Sequence, residues 1–172
     1  TGAAVNIDTK ANVTSVTVTG TATTVDIDDA GTAATSADKI TTVSVTGNTG
    51  ALAIGAANAV DSLTTLSLAK TNQNATVTAT AGTRALTVNL NEVAGGTIQD
   101  NTATTLTVNA SGVKSSGVTL NAAAATAVTI AADETLGVTD VNIAAAKTLT
   151  VTGDSLVTIA ATSTVTALES VS

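Results

Sequence analysis

The sequence predicts an all-β fold, a β-solenoid similar to a parallel β-helix, with about eight coils of ~20 residues each. A phrase of two large apolar residues flanking one polar residue recurs at intervals of 27, 23, 20, 20, 22 and 21 residues. The residues between the apolar ones are mostly Thr, Ser, Asn or Asp, an alternation typical of half-buried strands. The chain also lacks aromatic residues, so its core must be narrow and built from small side chains.

Each coil contains two strand phrases. The first set is Val16 and Val18, Val43 and Val45, Leu66 and Leu68, Leu86 and Val88, Leu106 and Val108, Val128 and Ile130, Leu149 and Val151. The second set, opened by Val5 and Ile7, is Val25 and Ile27, Leu52 and Ile54, Ala75 and Val77, Ile98, Val118 and Leu120, Val141 and Ile143, Val157 and Ile159. We expect these side chains to face inward.

Turn-forming residues separate the phrases at Thr19-Gly20, Gly47-Asn48, Gly95-Gly96, Ser111-Gly112 and Gly153-Asp154. The Ala-rich segments 122–127 and 144–146 are too short for independent helices, and we interpret them as tight corners. Three irregularities in the rhythm, at residues 30–40, 58–62 and 133–140, predict loops that protrude from one face of the solenoid.

Residues 1–172 are expected to form a single solenoid segment of a longer chain, because the pattern is already under way at both termini. One coil buries about four large apolar side chains at roughly 1.5–3 kcal/mol each. Ordering its backbone costs about 1–2 kcal/mol per residue, so stability must come from stacking. Eight coils at ~4.8 Å give a rod about 40 Å long.

Composition excludes several classes of function. The net charge is −7 and the six basic residues are scattered, whereas nucleic-acid binding needs clustered Lys and Arg. The chain has no His or Cys, which excludes imidazole catalysis, thiol nucleophiles and typical zinc sites. The longest uncharged stretch, residues 40–60, is too polar for a transmembrane helix. We therefore expect neither an enzyme nor a membrane-spanning protein.

The densest carboxylate cluster is Asp26, Asp28 and Asp29, with Asp8 expected one coil away from Asp28. Stacked outward carboxylates repel one another unless a cation lies between them, and Ca²⁺ takes carboxylate and carbonyl oxygens. These three residues are the candidate metal ligands, and the alternative is a solvated acidic turn. A weaker candidate combines Asp133 and Glu134 with Asp154 or Asp140.

Two further interpretations of polar residues are less favoured. Asp26 and Asp28 could act as the carboxylate pair of a polysaccharide-cleaving enzyme, but the chain has no aromatic platform for sugars. Outward hydroxyls resemble the Thr ranks of ice-binding solenoids, with a first rank of Thr17, Ser44, Ser67, Thr87, Thr107, Thr129 and Thr150. The neighbouring rank is irregular, so ordinary β-propensity explains the Thr residues better.

The repeats resemble those of bacterial surface-layer proteins, above all type I-secreted ones of Gram-negative bacteria. The phrases that carry the resemblance are Thr14-Ser15-Val16-Thr17-Val18-Thr19-Gly20, Thr41-Thr42-Val43-Ser44-Val45-Thr46-Gly47, Leu63-Thr64-Thr65-Leu66-Ser67-Leu68 and Thr104-Thr105-Leu106-Thr107-Val108-Asn109. The resemblance implies a β-solenoid outside the bacterial cell that assembles with Ca²⁺ into a two-dimensional lattice. Its expected partners are copies of itself, in a lattice or filament, and adjoining domains of its own chain.

That family's Ca²⁺-binding nonapeptide, Gly-Gly-x-Gly-x-Asp, is missing here, and Gly95-Gly96-Thr97-Ile98-Gln99-Asp100 matches it in part. The alternative function is the solenoid stalk of a large bacterial surface adhesin. A lattice protein should associate laterally, whereas a stalk should stay monomeric.

Overall fold

The computed structural model describes residues 2–9, 12–29, 38–80, 82–160 and 163–172, and within these ranges the chain forms sixteen strands and no helix. The odd-numbered strands are β1 (Ala4–Asp8), β3 (Thr24–Asp28), β5 (Leu52–Ile54), β7 (Ala75–Val77), β9 (Thr97–Gln99), β11 (Ser115–Asn121), β13 (Leu136–Asn142) and β15 (Val157–Ile159). The even-numbered strands are β2 (Ser15–Thr19), β4 (Thr42–Thr46), β6 (Thr65–Ala69), β8 (Ala85–Asn91), β10 (Thr105–Ala110), β12 (Ala127–Ala132), β14 (Thr148–Thr152) and β16 (Ser170–Val171).

The strands form two eight-stranded parallel sheets, in which the odd strands (the odd sheet) and the even strands (the even sheet) each stack in chain order. Paired residues are 20 to 27 positions apart along the chain, as in Val5–Val25 and Val16–Val43. The chain thus makes about seven full turns of ~22 residues, and the predicted β-solenoid is confirmed. At a strand spacing of ~4.8 Å, each sheet extends about 34 Å along the solenoid.

The core consists of one column of aliphatic side chains for each inward strand position. Within β4, Val43 and Val45 are buried while Thr42, Ser44 and Thr46 are half-buried. The same alternation recurs in β6, β8, β10 and β12. The buried residues of both sheets form a single hydrophobic cluster. Because successive side chains of a strand point to opposite faces, the period-2 pattern decided which residues are buried.

Threonines at one corner form a ladder of hydrogen bonds between turns. The Thr41 hydroxyl donates to the Thr14 carbonyl at 3.1 Å, and the Thr64 hydroxyl donates to the Thr41 carbonyl at 3.2 Å. Thr104 and Thr126 repeat this arrangement. The Ala-rich segments lie just before this corner and contain tight turns. The Ala125 N–H donates to the Ala122 carbonyl, and the Ala146 N–H donates to the Ile143 carbonyl. The interpretation of those segments as corners is confirmed.

Predicted alignments are wrong by two residues in both sheets. In the odd sheet the repeat of phrases places Val118 beside Val141, but the structure pairs Leu120 with Val141. In the even sheet it places Leu66 beside Leu86, but the structure pairs Leu66 with Val88 and Leu68 with Leu90. The outward hydroxyl rank therefore changes. It consists of Ser15, Thr42, Thr65, Thr87, Thr107, Thr129 and Thr150, and Ser172 continues it with a hydroxyl contact to Thr150 of 3.2 Å.

The loop predicted at residues 133–140 is also wrong, because most of it lies in β13. Leu136 and Val138 are buried in this strand and pair with Val157 and Ile159. The phrase pattern predicts Val141 and Ile143 as the partners of Val157 and Ile159. Residues 58–62 do lie between strands, as predicted. Of the loop predicted at residues 30–40, positions 30–37 lie outside the described residues.

Candidate functional site

The predicted acidic cluster lies at the end of β3 in the odd sheet. Asp26 and Asp28 belong to the strand and Asp29 follows it directly. The parallel register places Asp8 beside Asp28 and Asn6 beside Asp26. The predicted alignment of Asp8 with Asp28 is therefore confirmed for the backbone, although Asp8 is exposed and Asp28 is buried.

Asp28 does not face solvent as expected, since it is only 2% exposed. Its Oδ1 accepts hydrogen bonds from the N–H groups of Ala57 and Asn58, at 2.8 and 3.1 Å. These residues follow β5, one turn further along the solenoid. The Asp28 carboxylate thus holds a loop of the neighbouring turn in place, a role that strand periodicity does not reveal.

Asp29 is likewise 2% exposed, contrary to the expectation of an outward carboxylate. Its Oδ2 accepts from the N–H groups of Lys39 and Ile40, at 2.7 and 2.8 Å. The Thr9 hydroxyl contacts its other oxygen at 3.4 Å. Charge-assisted hydrogen bonds of this kind are stronger than those between neutral groups, so Asp29 ties the chain after residues 30–37 to the end of β3.

Asp26 differs from its two neighbours. The residue is half-buried, and its Oδ1 is buried without a hydrogen-bond partner among the described residues. Burial, and then the negative charges of Asp28 and Asp8, raise the pKa of the Asp26 carboxyl. Both effects penalise the ionised form, which a cation or a proton would relieve.

A second group of carboxyls, not identified from the sequence, lies at the corner before β6. The Asp61 carboxylate accepts from the N–H and the hydroxyl of Thr80, both at 2.6 Å, and the Asp61 N–H donates to Asp38 at 3.1 Å. The Thr80 hydroxyl is the main cause that lowers the pKa of Asp61. Burial, with the charges of Asp61 and Asp29, raises the pKa of Asp38.

A buried ion pair joins two turns beside this corner. Arg84 Nη2 lies 2.7 and 2.6 Å from the two carboxylate oxygens of Asp100, and Arg84 Nη1 donates to the Leu63 carbonyl at 3.1 Å. The two side chains are 7% and 2% exposed. From the sequence Arg84 was one of six scattered basic residues. The one available signal was Asp100-Asn101-Thr102, a pattern typical of a side-chain-capped turn.

An open cleft of about 490 Å³ lies at the same corner, between the chain before β6 and the chain before β8. Hydroxyl groups of Thr64 and Thr80, the Asp61 carboxylate and part of Arg84 line it. The Asp61 oxygens already accept hydrogen bonds from Thr80, whereas Arg84 Nε is buried without a hydrogen-bond partner among the described residues.

No three carboxylates converge on a metal position anywhere in the described ranges. Asp28 and Asp29 each use an oxygen on backbone N–H groups, while Asp26 retains an unpaired one. The Ca²⁺ site at Asp26, Asp28 and Asp29 stays a prediction. In the weaker candidate, the backbone N–H groups of Asp133 and Glu134 donate to the Ala110 carbonyl, and the Asp154 side chain is exposed.

No protein-family model, curated protein or solved structure matches this chain. Among the residues that the structure describes, no helix is both long enough and apolar enough to cross a membrane.

Proposed function

We propose that this chain is a structural segment of a bacterial surface layer, located outside the cell, where it serves as a repeat element of a self-assembling lattice without a catalytic role. The observation that carries the proposal is the regular stacking of eight strands in each of two parallel sheets. Each turn has unpaired backbone groups and a half-exposed apolar layer until a neighbour covers it. Such a unit suits assembly by repetition.

Bonding between turns supports a stiff building element. Besides the backbone ladders, the corner threonines bond from turn to turn. Amide side chains add surface ladders, with Asn109 to Asn89 at 2.9 Å and Asn142 to Asn121 at 3.0 Å. Bonds that repeat along one axis resist bending and register slip, which a lattice spacer needs.

Calcium is the proposed cofactor of assembly, held at the cluster of Asp26, Asp28 and Asp29. The support is electrostatic, because the unpaired Oδ1 of Asp26 lies near Asp8 and Asp28 in a chain of net charge −7. A divalent cation reduces repulsion inside the cluster and between copies of the chain. Carboxylate oxygens are also the ligands that Ca²⁺ prefers.

The second candidate function is the solenoid stalk of a bacterial surface adhesin. The same stiff, elongated stack favours it, because a stalk needs length along one axis and no lateral contact. The two functions differ in the behaviour of the purified protein, since the lattice protein associates and the stalk stays monomeric.

Light scattering and negative-stain electron microscopy of the purified protein, with millimolar Ca²⁺ and then a chelator, test the proposal. We expect sheets that form with Ca²⁺ and disperse on chelation. Asp26→Asn should weaken this response, whereas the control Glu92→Gln removes the same charge from an exposed corner and should not. Flat scattering across millimolar Ca²⁺ would favour the monomeric stalk.

A further inference from the structure

The outer face of the even sheet carries no charge. Outward positions of its strands alternate with buried aliphatic residues, and they are occupied by Thr, Ser, Asn and Ala alone. One column of this face, from Ser15 to Thr150, consists entirely of hydroxyl residues. We call these outward positions of the even-sheet strands the hydroxyl face.

Charged residues are confined to other parts of the described surface. Strands of the odd sheet carry Asp8, Asp26, Asp28 and Asp140. At the borders of the hydroxyl face, Lys70 and Glu92 follow β6 and β8, and Lys147 and Glu169 form an exposed ion pair of 3.4 Å next to β14 and β16. A chain of net charge −7 repels its own copies, and this repulsion is weakest where no carboxylate lies.

The side chains of the hydroxyl face suit close packing against an identical surface. Thr is stiff at its first torsion angle, and Ser and Ala lose little entropy on burial, so ordering them on contact costs little. Each hydroxyl is both donor and acceptor, so two copies can satisfy each other. Asn89 is already fixed by hydrogen bonds to Ser67 at 3.1 Å and Asn109 at 2.9 Å.

The size of the face is that of a weak, reversible dimer. Strands β2 to β14 of the even sheet have at least five residues each, so the face extends about 29 Å along the solenoid and about 17 Å along the strands. Two such faces in contact bury about 1,000 Å², which is the lower limit for a specific interface.

We propose that the hydroxyl face is a lateral docking surface for a second copy of this chain, packed face to face. The same surface patch is used on both subunits, which gives an interface with two-fold symmetry. The inference rests on the proposed self-assembling role and names its contact surface. It places lateral contact on the even sheet, away from the Asp26 cluster, and it requires no cation.

Sedimentation velocity across a range of protein concentrations, in chelator, tests this interface. We expect a monomer–dimer equilibrium that shifts toward dimer as salt screens the net charge. Thr107→Lys, on the central strand β10, should raise the dimer Kd about tenfold or more, because it buries an unpaired ammonium in the interface. The control Thr76→Lys makes the same change on the odd sheet, where Thr76 is exposed. Both substitutions reduce the net negative charge equally, so only loss of the contact weakens the Thr107 variant.

A wild-type protein that stays monomeric at all concentrations and salt levels would overturn the proposal, as would equal weakening by the two variants. A monomer that shapes growing ice crystals, with loss in Thr107→Lys alone, would assign the face to ice instead. A dimer that persists in chelator while Ca²⁺ produces no sheets would support this interface and contradict the proposed lattice. Sheets that form with Ca²⁺ and are unaffected by Thr107→Lys would support the proposed lattice and contradict this interface.

Discussion

The two partners of the buried ion pair, Arg84 and Asp100, differ in how many hydrogen bonds each would keep if the other were removed. Asp100 Oδ1 also accepts from the N–H groups of Thr102 and Ala103, both at 3.0 Å. Loss of Arg84 would leave the carboxylate with these donors. Loss of Asp100 would leave a guanidinium that is 7% exposed with one carbonyl and one hydroxyl.

We therefore expect Asp100→Ala to lower the free energy of unfolding by about 3–5 kcal/mol, the cost of an unpaired buried charge. Arg84→Met should cost less, about 1–3 kcal/mol, because Asp100 keeps its backbone donors. Urea unfolding followed by circular dichroism measures both values. An Arg84→Met variant less stable than Asp100→Ala would contradict this account.

Asp26 and Asp61 are expected to affect stability in opposite directions. The raised pKa of Asp26 means that the folded state holds its proton above the ordinary value of 3.8, so this contribution to stability is lost as pH rises through that window. The lowered pKa of Asp61 means that its ionised form stabilises the fold above 3.8, an effect lost as pH falls through the lowered value.

At pH 7 we expect Asp26→Asn to raise the melting temperature and Asp61→Asn to lower it. The Asp26→Asn difference should shrink as pH falls below the raised pKa of Asp26, and the Asp61→Asn difference should shrink only as pH falls through the lowered pKa of Asp61. Thermal unfolding from pH 3 to pH 8 in chelator measures these differences and removes any contribution of bound cations. Equal signs for the two variants at pH 7 would show that the environments of the carboxyls differ from those described here.

At the scale of elements, corners impose stricter requirements than strands. The loop of Gly50 passes so close to the preceding turn that a Cβ at this position would overlap the Thr23 carbonyl oxygen. Backbone of a packed turn cannot move aside as the end of a flexible side chain can. Gly82, between β7 and β8, has open space where a Cβ would lie.

Gly50→Ala should therefore destabilise the protein by about 3 kcal/mol, the upper part of the usual range for forced overpacking. Gly82→Ala is the matched control, and we expect a change within about 0.5 kcal/mol, as for ordinary surface substitutions. Chemical denaturation of both variants gives the comparison. Similar stabilities for the two would contradict the close approach of turns at Gly50.

Strand β8 shows why the alignment of neighbouring turns could not be predicted from its own residues. Leu86, Val88 and Leu90 are three apolar residues at period 2. A shift by two positions keeps every side chain on its original face, so hydrophobic patterning accepts both alignments equally. Both alignments of β8 occur in the structure. Toward β6, Val88 pairs with Leu66. Toward β10, Leu86 pairs with Leu106 and Val88 with Val108.

At the scale of the whole molecule, stability depends on an uninterrupted column of aliphatic residues. Val108 is fully buried in the middle of the even sheet, between Val88 and Ile130. Since each turn is stabilised by its neighbours, a defect here separates the solenoid into two shorter stacks. The total stability of a domain this size is only about 5–15 kcal/mol.

We expect Val108→Asp to abolish cooperative unfolding and the circular dichroism signal of β-structure, because an unpaired buried carboxylate costs several kcal/mol. Thr107→Asp is the control, since the adjacent side chain points outward from the same strand. It should retain the fold in dilute solution. A cooperative transition in Val108→Asp at the wild-type temperature would mean that Val108 is not in the core.

The sequence by itself determined the β-solenoid, the inward columns and the Ala-rich corners, because each depends on local spacing and on the period-2 geometry of a strand. Only the tertiary structure decided which apolar residues of β8 pair with those of β6, that residues 136–142 form a strand, and that Asp28, Asp29 and Asp100 are buried. The burial of these carboxylates depends on groups 11 to 29 residues away in the chain. From the sequence a carboxylate is expected to be solvated, and distant parts of the chain supply the hydrogen-bond donors that allow it to be buried.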